Sequence, residues 1–215
     1  RPYTIEPPLN AQHTYQPGDT LRWGLTLFAD ALQLIPYIIL GVQMLEEEGI
    51  GKALPQSNGH WRRGQLVVDA IAAVHPWTQQ RQVLYQRGSR TVQTPELAIT
   101  SADIQERIAS LRSDRLTVQF LTPTRLVDNG RLLHRPLFRP LVQRLLERLS
   151  ALSQQFSSTP LENIRDLLHA GLDVRIVDDQ TCWVELDSYS SRQRRATPIG
   201  GFVGRVTFAG DMALF

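Results

Sequence analysis

Leu116-Thr117-Val118-Gln119-Phe120-Leu121, followed by Thr122-Pro123, sets the fold class of this 215-residue chain. The run reads as a strand, and Thr122-Pro123 is expected to end it. Downstream, Leu137, Phe138, Leu141, Val142, Leu145, Leu146, Leu149 and Leu152 recur at helical spacing, with Arg139, Gln143, Arg144 and Arg148 largely off that stripe. Thr159 and Glu162 form a capping box with Pro160 at the first helical position. That second helix carries Leu161, Ile164, Leu167 and Leu168, and Gly171 closes it. Leu172 to Val177 and Thr181 to Leu186 read as a hairpin about Asp178-Asp179. Gly201 to Phe208 is a final strand, followed by the turn Ala209-Gly210-Asp211. The order is strand, helix, strand, strand.

Working back toward the N-terminus, the same order recurs. Tyr3 to Leu9 is a short strand ended by Pro7-Pro8, and Gln16-Pro17-Gly18-Asp19 is a turn. Leu21 to Phe28 alternates, with Leu21, Trp23, Leu25 and Leu27 on one face. A helix spans about Asp30 to Glu48; Pro36 kinks it or marks its true first turn, and Gly49 ends it. Gly51 to Gly64 reads as a loop and Gln65 to Val74 as a strand ended by His75-Pro76. Val83-Leu84-Tyr85 reads as a short strand, and Ser101 to Leu111 as a helix capped by Ser101.

These runs fit an α+β chain of two tandem ferredoxin-like βαββαβ units, each with helices on one face of an antiparallel sheet. Residues 1–75 belong to the first unit, 76–113 form a connector, and 114–215 form the second. Both units are expected to be incomplete here: the first lacks its opening strand and helix, the second its closing helix and strand. The chain begins at Arg1-Pro2-Tyr3 without an initiator Met and ends at Leu214-Phe215, so it is expected to be part of a longer polypeptide.

Composition narrows the class. With 42% hydrophobic and 20% charged residues, 14 Gly and 13 Pro, the chain is neither disordered nor a fibrous rod. Its most apolar stretch, Leu34 to Leu45, is too short to span a bilayer and contains Pro36. The single Cys182 excludes an internal disulfide and a cysteine-rich zinc site. The expected compartment is the cytoplasm, with no membrane partner. Formal net charge is only +2 but uneven: residues 76–160 carry 12 basic and 6 acidic groups, while residues 1–75 carry 5 and 7, and residues 161–215 carry 6 and 8. The cations are 22 Arg and one Lys, Lys52. Guanidinium makes bidentate contacts with phosphate and stacks on bases, so the bias is compatible with nucleic acid; a GC-rich genome favouring Arg codons explains it equally.

No Walker loop, dinucleotide fingerprint, zinc spacing or serine-hydrolase elbow appears, and no metal or cofactor is implied. The acidic runs Asp178-Asp179 and Glu46-Glu47-Glu48 are expected at a solvated turn and a helix end. Of the five histidines, His13, His75, His134 and His169 read as structural or exposed. His60 stands apart, in His60-Trp61-Arg62-Arg63-Gly64, where an acid–base group, an aromatic ring and two guanidiniums adjoin. Such a loop suits RNA phosphate contact and stacking, so His60 is the catalytic candidate and Arg62 and Arg63 are RNA-binding candidates. From Ser188 to Gly210 there are four Arg and no acid. Arg192, Arg194 and Arg195 are the expected phosphate contacts on a glycine-flexible basic hairpin, with Tyr189 and Gln193 beside them.

Here the residues resemble a known family. Tyr189-Ser190-x-Arg192-Gln193, then Gly200-Gly201-Phe202-Val203-Gly204-x-Val206-x-Phe208-x-Gly210-Asp211, is similar to the C-terminal signature of the CRISPR precursor-RNA processing endoribonucleases of the RAMP superfamily. Phe120-Leu121-Thr122-Pro123-Thr124-Arg125-Leu126 resembles that family's phenylalanine-x-threonine-proline-x-arginine-leucine strand end, which adds Arg125 to the RNA-binding candidates. Pro17-Gly18-Asp19 through Leu25-Thr26-Leu27-Phe28, then Pro36-Tyr37 and Glu48-Gly49-Ile50-Gly51, is similar to its first-half pattern. The resemblance implies binding of CRISPR repeat RNA and metal-independent cleavage of the precursor transcript within the repeat, by 2′-OH attack, to give guide RNAs. The alternatives are a non-catalytic RAMP-type RNA-binding subunit, or the RNA-processing module of a larger fused CRISPR protein. Other CRISPR-associated proteins are expected partners. The resemblance also implies a glycine-rich loop beyond Phe215 and a catalytic histidine upstream of Arg1.

Overall fold

The computed structural model describes every residue except 1, 10, 11, 13, 58, 158–160, 162, 163, 172, 186, 191–194, 199 and 214. β1 (Tyr3–Glu6) and β2 (Gly24–Leu27) pair as a two-stranded ribbon, both shorter than the alternating pattern suggests. The Gln16–Asp19 turn forms as expected: the Asp19 N–H donates to Gln16 O at 3.0 Å, and the Asp19 carboxylate accepts the Gln16 N–H at 2.7 Å. The chain divides into two compact units, residues 1–4 with 26–109, and residues 5–25 with 110–215.

In the first unit the expected long helix is split. A 3₁₀ helix covers Ala29–Leu34, and α1 runs over Ile35–Glu48. Pro36 lies in the first turn of α1, where its missing N–H leaves no bond unmade. Gly49, at φ +70°, donates its N–H to Leu45 O at 2.9 Å. A Cβ there would come within 2.8 Å of Gly64 O, so both the turn and the neighbouring strand require glycine.

The loop expected from Gly51 to Gly64 is instead a hairpin. β3 (Ile50–Pro55) pairs antiparallel with β4 (Trp61–Gly64), in the register Leu54↔Arg62 and Pro55↔Trp61. Nearly every side chain of this ribbon is exposed, so no apolar alternation betrays it. β5 (Ala70–Val74) and β6 (Arg81–Gln86) form the next hairpin. At its turn His75 is 7% exposed; its Nδ1 accepts the Thr78 N–H at 3.3 Å, and its Nε2 lies 3.8 Å from Asp103 of α2 (Ser101–Ser110). The cap of α2 is Thr100 rather than the expected Ser101. Thr100 Oγ1 accepts the Asp103 N–H, and Asp103 accepts the Thr100 N–H at 2.7 Å, a reciprocal box. The Thr100 hydrogen bonds hold the Asp103 carboxyl below its usual range.

The second unit holds the larger sheet. β7 spans Arg115–Thr124, β8 (Leu126–Asp128) and β9 (Arg131–Leu133) form a hairpin, and α3 (Phe138–Phe156) and α4 (Ile164–Ala170) follow. Then come β10 (Arg175–Val184), the paired β11 (Asp187–Ser190) and β12 (Arg195–Pro198), and β13 (Gly201–Ala209). The antiparallel order β10-β13-β7 puts the last strand between the other two, the arrangement of a split βαβ, ferredoxin-like unit. Phe202, Val206 and Phe208 of β13 are 0% exposed and pack with Phe120, Leu126, Phe138 and Met212. The Thr159–Glu162 capping box lies outside the described residues.

Three sequence expectations fail in this unit. β7 does not stop at Thr122-Pro123. Its ladder skips from Phe120↔Gly204 to Thr124↔Phe202, so Pro123 sits in a bulge where no N–H is needed. Asp178-Asp179 is not a turn: both lie within β10, with a bulge between Ile176 and Asp178. Asp179 Oδ1 accepts the Thr181 N–H at 3.1 Å, so local side-chain bonding replaces the turn the acids suggest. The α3 stripe is rotated from the i, i+4 row. Leu146 is buried and Leu141 and Val142 pack on the core, whereas Leu145 and Leu149 are 55% and 53% exposed.

Candidate nucleic-acid interface

His60 lies in the turn between β3 and β4, where its carbonyl accepts the Gln56 N–H at 2.7 Å. The His60–Gly64 run is therefore an ordered ribbon, not the flexible loop expected. His60, Trp61, Arg62 and Arg63 are all exposed, Trp61 to 68%. Strand alternation puts Trp61 and Arg63 on one side of the ribbon and Arg62 on the other. Arg63 Nη1 donates to Gly51 O at 3.3 Å, which holds it along the strand pair. Adjacency in sequence thus overstates how closely these four groups converge.

In the second unit Arg125 is exposed directly after Thr124, the β7 residue paired with Phe202. Phe202 in turn pairs with Trp183. The β11–β12 hairpin leaves from that same end of the sheet, so Arg125 and the hairpin lie at one end of it. The expected hairpin forms with Tyr189↔Ala196 and Ser190↔Arg195 in register. Arg192, Gln193 and Arg194 lie outside the described residues, as do the side chains of Tyr189 and Arg195.

The glycines of the signature are positions of close approach. A Cβ on Gly200 would lie 2.5 Å from the Trp183 ring, and one on Gly201 2.7 Å from the Pro123–Thr124 backbone. Gly204, at φ +109°, passes directly against the Gln180 carbonyl. The glycines therefore let β13 pass closely between β10 and β7 at the β7 bulge.

Two side-chain groups at this sheet carry no sequence signal. The ring of His134 is tilted against Trp183 with centroids 4.4 Å apart and planes at 42°, and the Trp183 indole N–H donates to Glu185 at 2.5 Å. Farther along β10, Arg135 Nη2 reaches Asp179 Oδ2 at 3.2 Å. Burial works to raise the Asp179 carboxyl. Hydrogen bonds from the Thr181 hydroxyl and N–H and the Arg135 guanidinium outweigh it and hold the group below the usual carboxylate range. Among the described residues no group of three or more His, Cys, Asp or Glu side chains is gathered as a metal site would need, and no helix is long and apolar enough to cross a membrane.

Residues 118–215 match the sequence family described as CRISPR-associated endoribonuclease Cas6. A Cas6 product complex has a similar fold, with a TM-score of 0.54 at 19% identity, over 99% of this chain and 71% of that one. The chain is Cas6-like. Thermus thermophilus Cas6 matches at a TM-score of 0.50 and 16% identity, over 99% of this chain and 66% of its own. The Cas6-like chain thus spans about two thirds of the length of these structures. Its residues 1–97 match the AF_1859_N family, described as an N-terminal domain. No curated protein matches the chain in sequence. The Cas6 match begins inside β7 and takes in Pro123, Arg125, the β11–β12 hairpin and all of β13.

Proposed function

We propose that this Cas6-like chain binds CRISPR repeat RNA and cleaves the precursor transcript within the repeat without a metal ion. The observation that carries this is the Cas6 match over 118–215, the segment in which the start of the glycine strand, Arg125 and the hairpin lie at one end of the sheet. Arg192, Arg194 and Arg195, with Tyr189 and Gln193, grip the RNA from the hairpin. Arg125 supports them from the end of β7. Arg62 and Arg63 contact phosphates from the β3–β4 ribbon, and His60 is the acid–base group there. Residues 1–75 and 114–215 act as the two RNA-handling units, joined through 76–113, in the cytoplasm, alongside other CRISPR-associated proteins.

The chemistry follows from RNA itself. A base removes the proton from a ribose 2′-OH, and the oxygen bonds to the adjacent phosphorus. The phosphorus–O5′ bond breaks, and an acid protonates the departing 5′-oxygen. The products are a 2′,3′-cyclic phosphate and a 5′-hydroxyl. Guanidinium stabilises the extra charge on the five-coordinate phosphorus.

The test uses the full-length protein and end-labelled repeat RNA. Cleavage should persist in EDTA and leave the two ends just named. Cutting abolished by EDTA with binding intact overturns the metal-free mechanism. Tight binding without any cutting overturns the nuclease reading and leaves a subunit that holds RNA.

A further inference from the structure

Beside α3 and the start of β10 lies an open cavity of about 520 Å³. Arg135, Arg139 and Arg175 line it, over a floor that includes Phe138, with Gly171 at one side. One carboxylate, Asp128, also lines it; its register partner across the Asn129-Gly130 turn is Arg131. Arg135 is committed to Asp179. Arg139 and Arg175 form no ion pair among the described residues, and both are exposed. Arg139 and Arg175 outnumber the one carboxylate, Asp128, on this concave surface, and the excess positive charge attracts an anion. The connector from β9 to α3 continues from this cavity along β10: Arg135 stands at Asp179 and His134 at Trp183. The surface therefore runs from a guanidinium-rimmed hollow to the exposed ring of His134, and guanidinium and ring are the two kinds of contact single-stranded nucleic acid uses.

We infer that this cavity is a second RNA contact site, taking the phosphodiester backbone of single-stranded RNA on Arg139 and Arg175, apart from the basic hairpin. The site rests on the proposed RNA-binding role and adds a position nothing else in the chain points to.

The test compares wild type with Arg139→Ala/Arg175→Ala, using a 12-nucleotide oligouridylate and, separately, repeat RNA. The double variant should bind the oligouridylate about tenfold or more weakly, with a log–log salt slope shallower by about 1.4, the value for two lost contacts on a single strand. Arg139→Lys/Arg175→Lys should keep the wild-type slope, which assigns the loss in the alanine pair to the missing charge. Melting curves identify any variant that has lost its fold; if the alanine pair has, Arg139→Gln/Arg175→Gln carries the comparison, with the same shallower slope expected. Equal affinity and slope in wild type and the alanine pair overturn the site. So does wild-type protein that binds repeat RNA but not oligouridylate, and in that case the proposed function stands. Wild type that binds neither RNA overturns the proposed function itself.

Discussion

The two units of this chain use their strands in opposite ways. In the second, β13 is enclosed between β10 and β7 and buries Phe202, Val206 and Phe208 completely. In the first, β3–β4 and β5–β6 are separate local hairpins, and Trp61 and Arg62 face solvent. The difference teaches what a family signature records. Gly200, Gly201 and Gly204 fall within the segment that matches the Cas6 family, and the sheet has no room for a Cβ at any of them. Among the described residues, those proposed for chemistry stand on exposed surfaces, where packing does not dictate the side chain.

The contrast is broken most severely at Gly204. Gly204→Val places a branched side chain at φ +109° against the Gln180 carbonyl and should cost about 3–4 kcal/mol, read by denaturant unfolding. Gly59 also has positive φ, +79°, but nothing lies within 4 Å of its Cβ position. Gly59→Ala should cost only about 1 kcal/mol, the backbone term alone. Equal losses at the two glycines would remove the distinction between the units.

How much of this was legible depends on where each signal resides. α1, Gly49, β5 and β13 were legible because local spacing and burial agree along one element. The β3–β4 hairpin was hidden because its side chains are exposed and leave no periodicity. Asn129-Gly130 was a readable signal for the β8–β9 turn, with φ of +47° and +77°, and sequence reasoning overlooked it. Asp178-Asp179 misled because the acids are held by Thr181, Gln180 and Arg135 within a strand. The His134–Trp183 ring contact, the Arg135–Asp179 pair and the His75–Asp103 contact join residues from different elements, so no local pattern could show them.

Next in size are changes to the proposed RNA surfaces. Arg192→Ala, Arg194→Ala and Arg195→Ala together should weaken repeat-RNA binding about 100-fold and flatten its salt slope by roughly one unit per lost contact. An unchanged slope would remove the hairpin from the interface. On the first unit, His60→Ala should slow single-turnover cleavage by about 100-fold while leaving binding unchanged. Equal rates would return His60 to a structural part of the β3–β4 turn.

A smaller effect belongs to Asp179. Its folded-state pKa is depressed, so its contribution to stability is present above the unfolded carboxylate range and lost as pH falls through the folded value. Asp179→Asn should therefore cost about 1–2 kcal/mol at pH 7, and the gap to wild type should shrink below about pH 4. A gap that does not vary with pH would mean the ion pair with Arg135 contributes nothing.

The central claim is that this chain cuts RNA by using the RNA's own 2′-oxygen. The direct measurement replaces one ribose, immediately 5′ of the cleaved bond, by 2′-deoxyribose in an otherwise unchanged repeat RNA. The full-length protein should bind this substrate as tightly as the all-ribose form and leave it uncut at that bond. Cleavage of the deoxy-substituted bond at the ordinary rate would contradict the account.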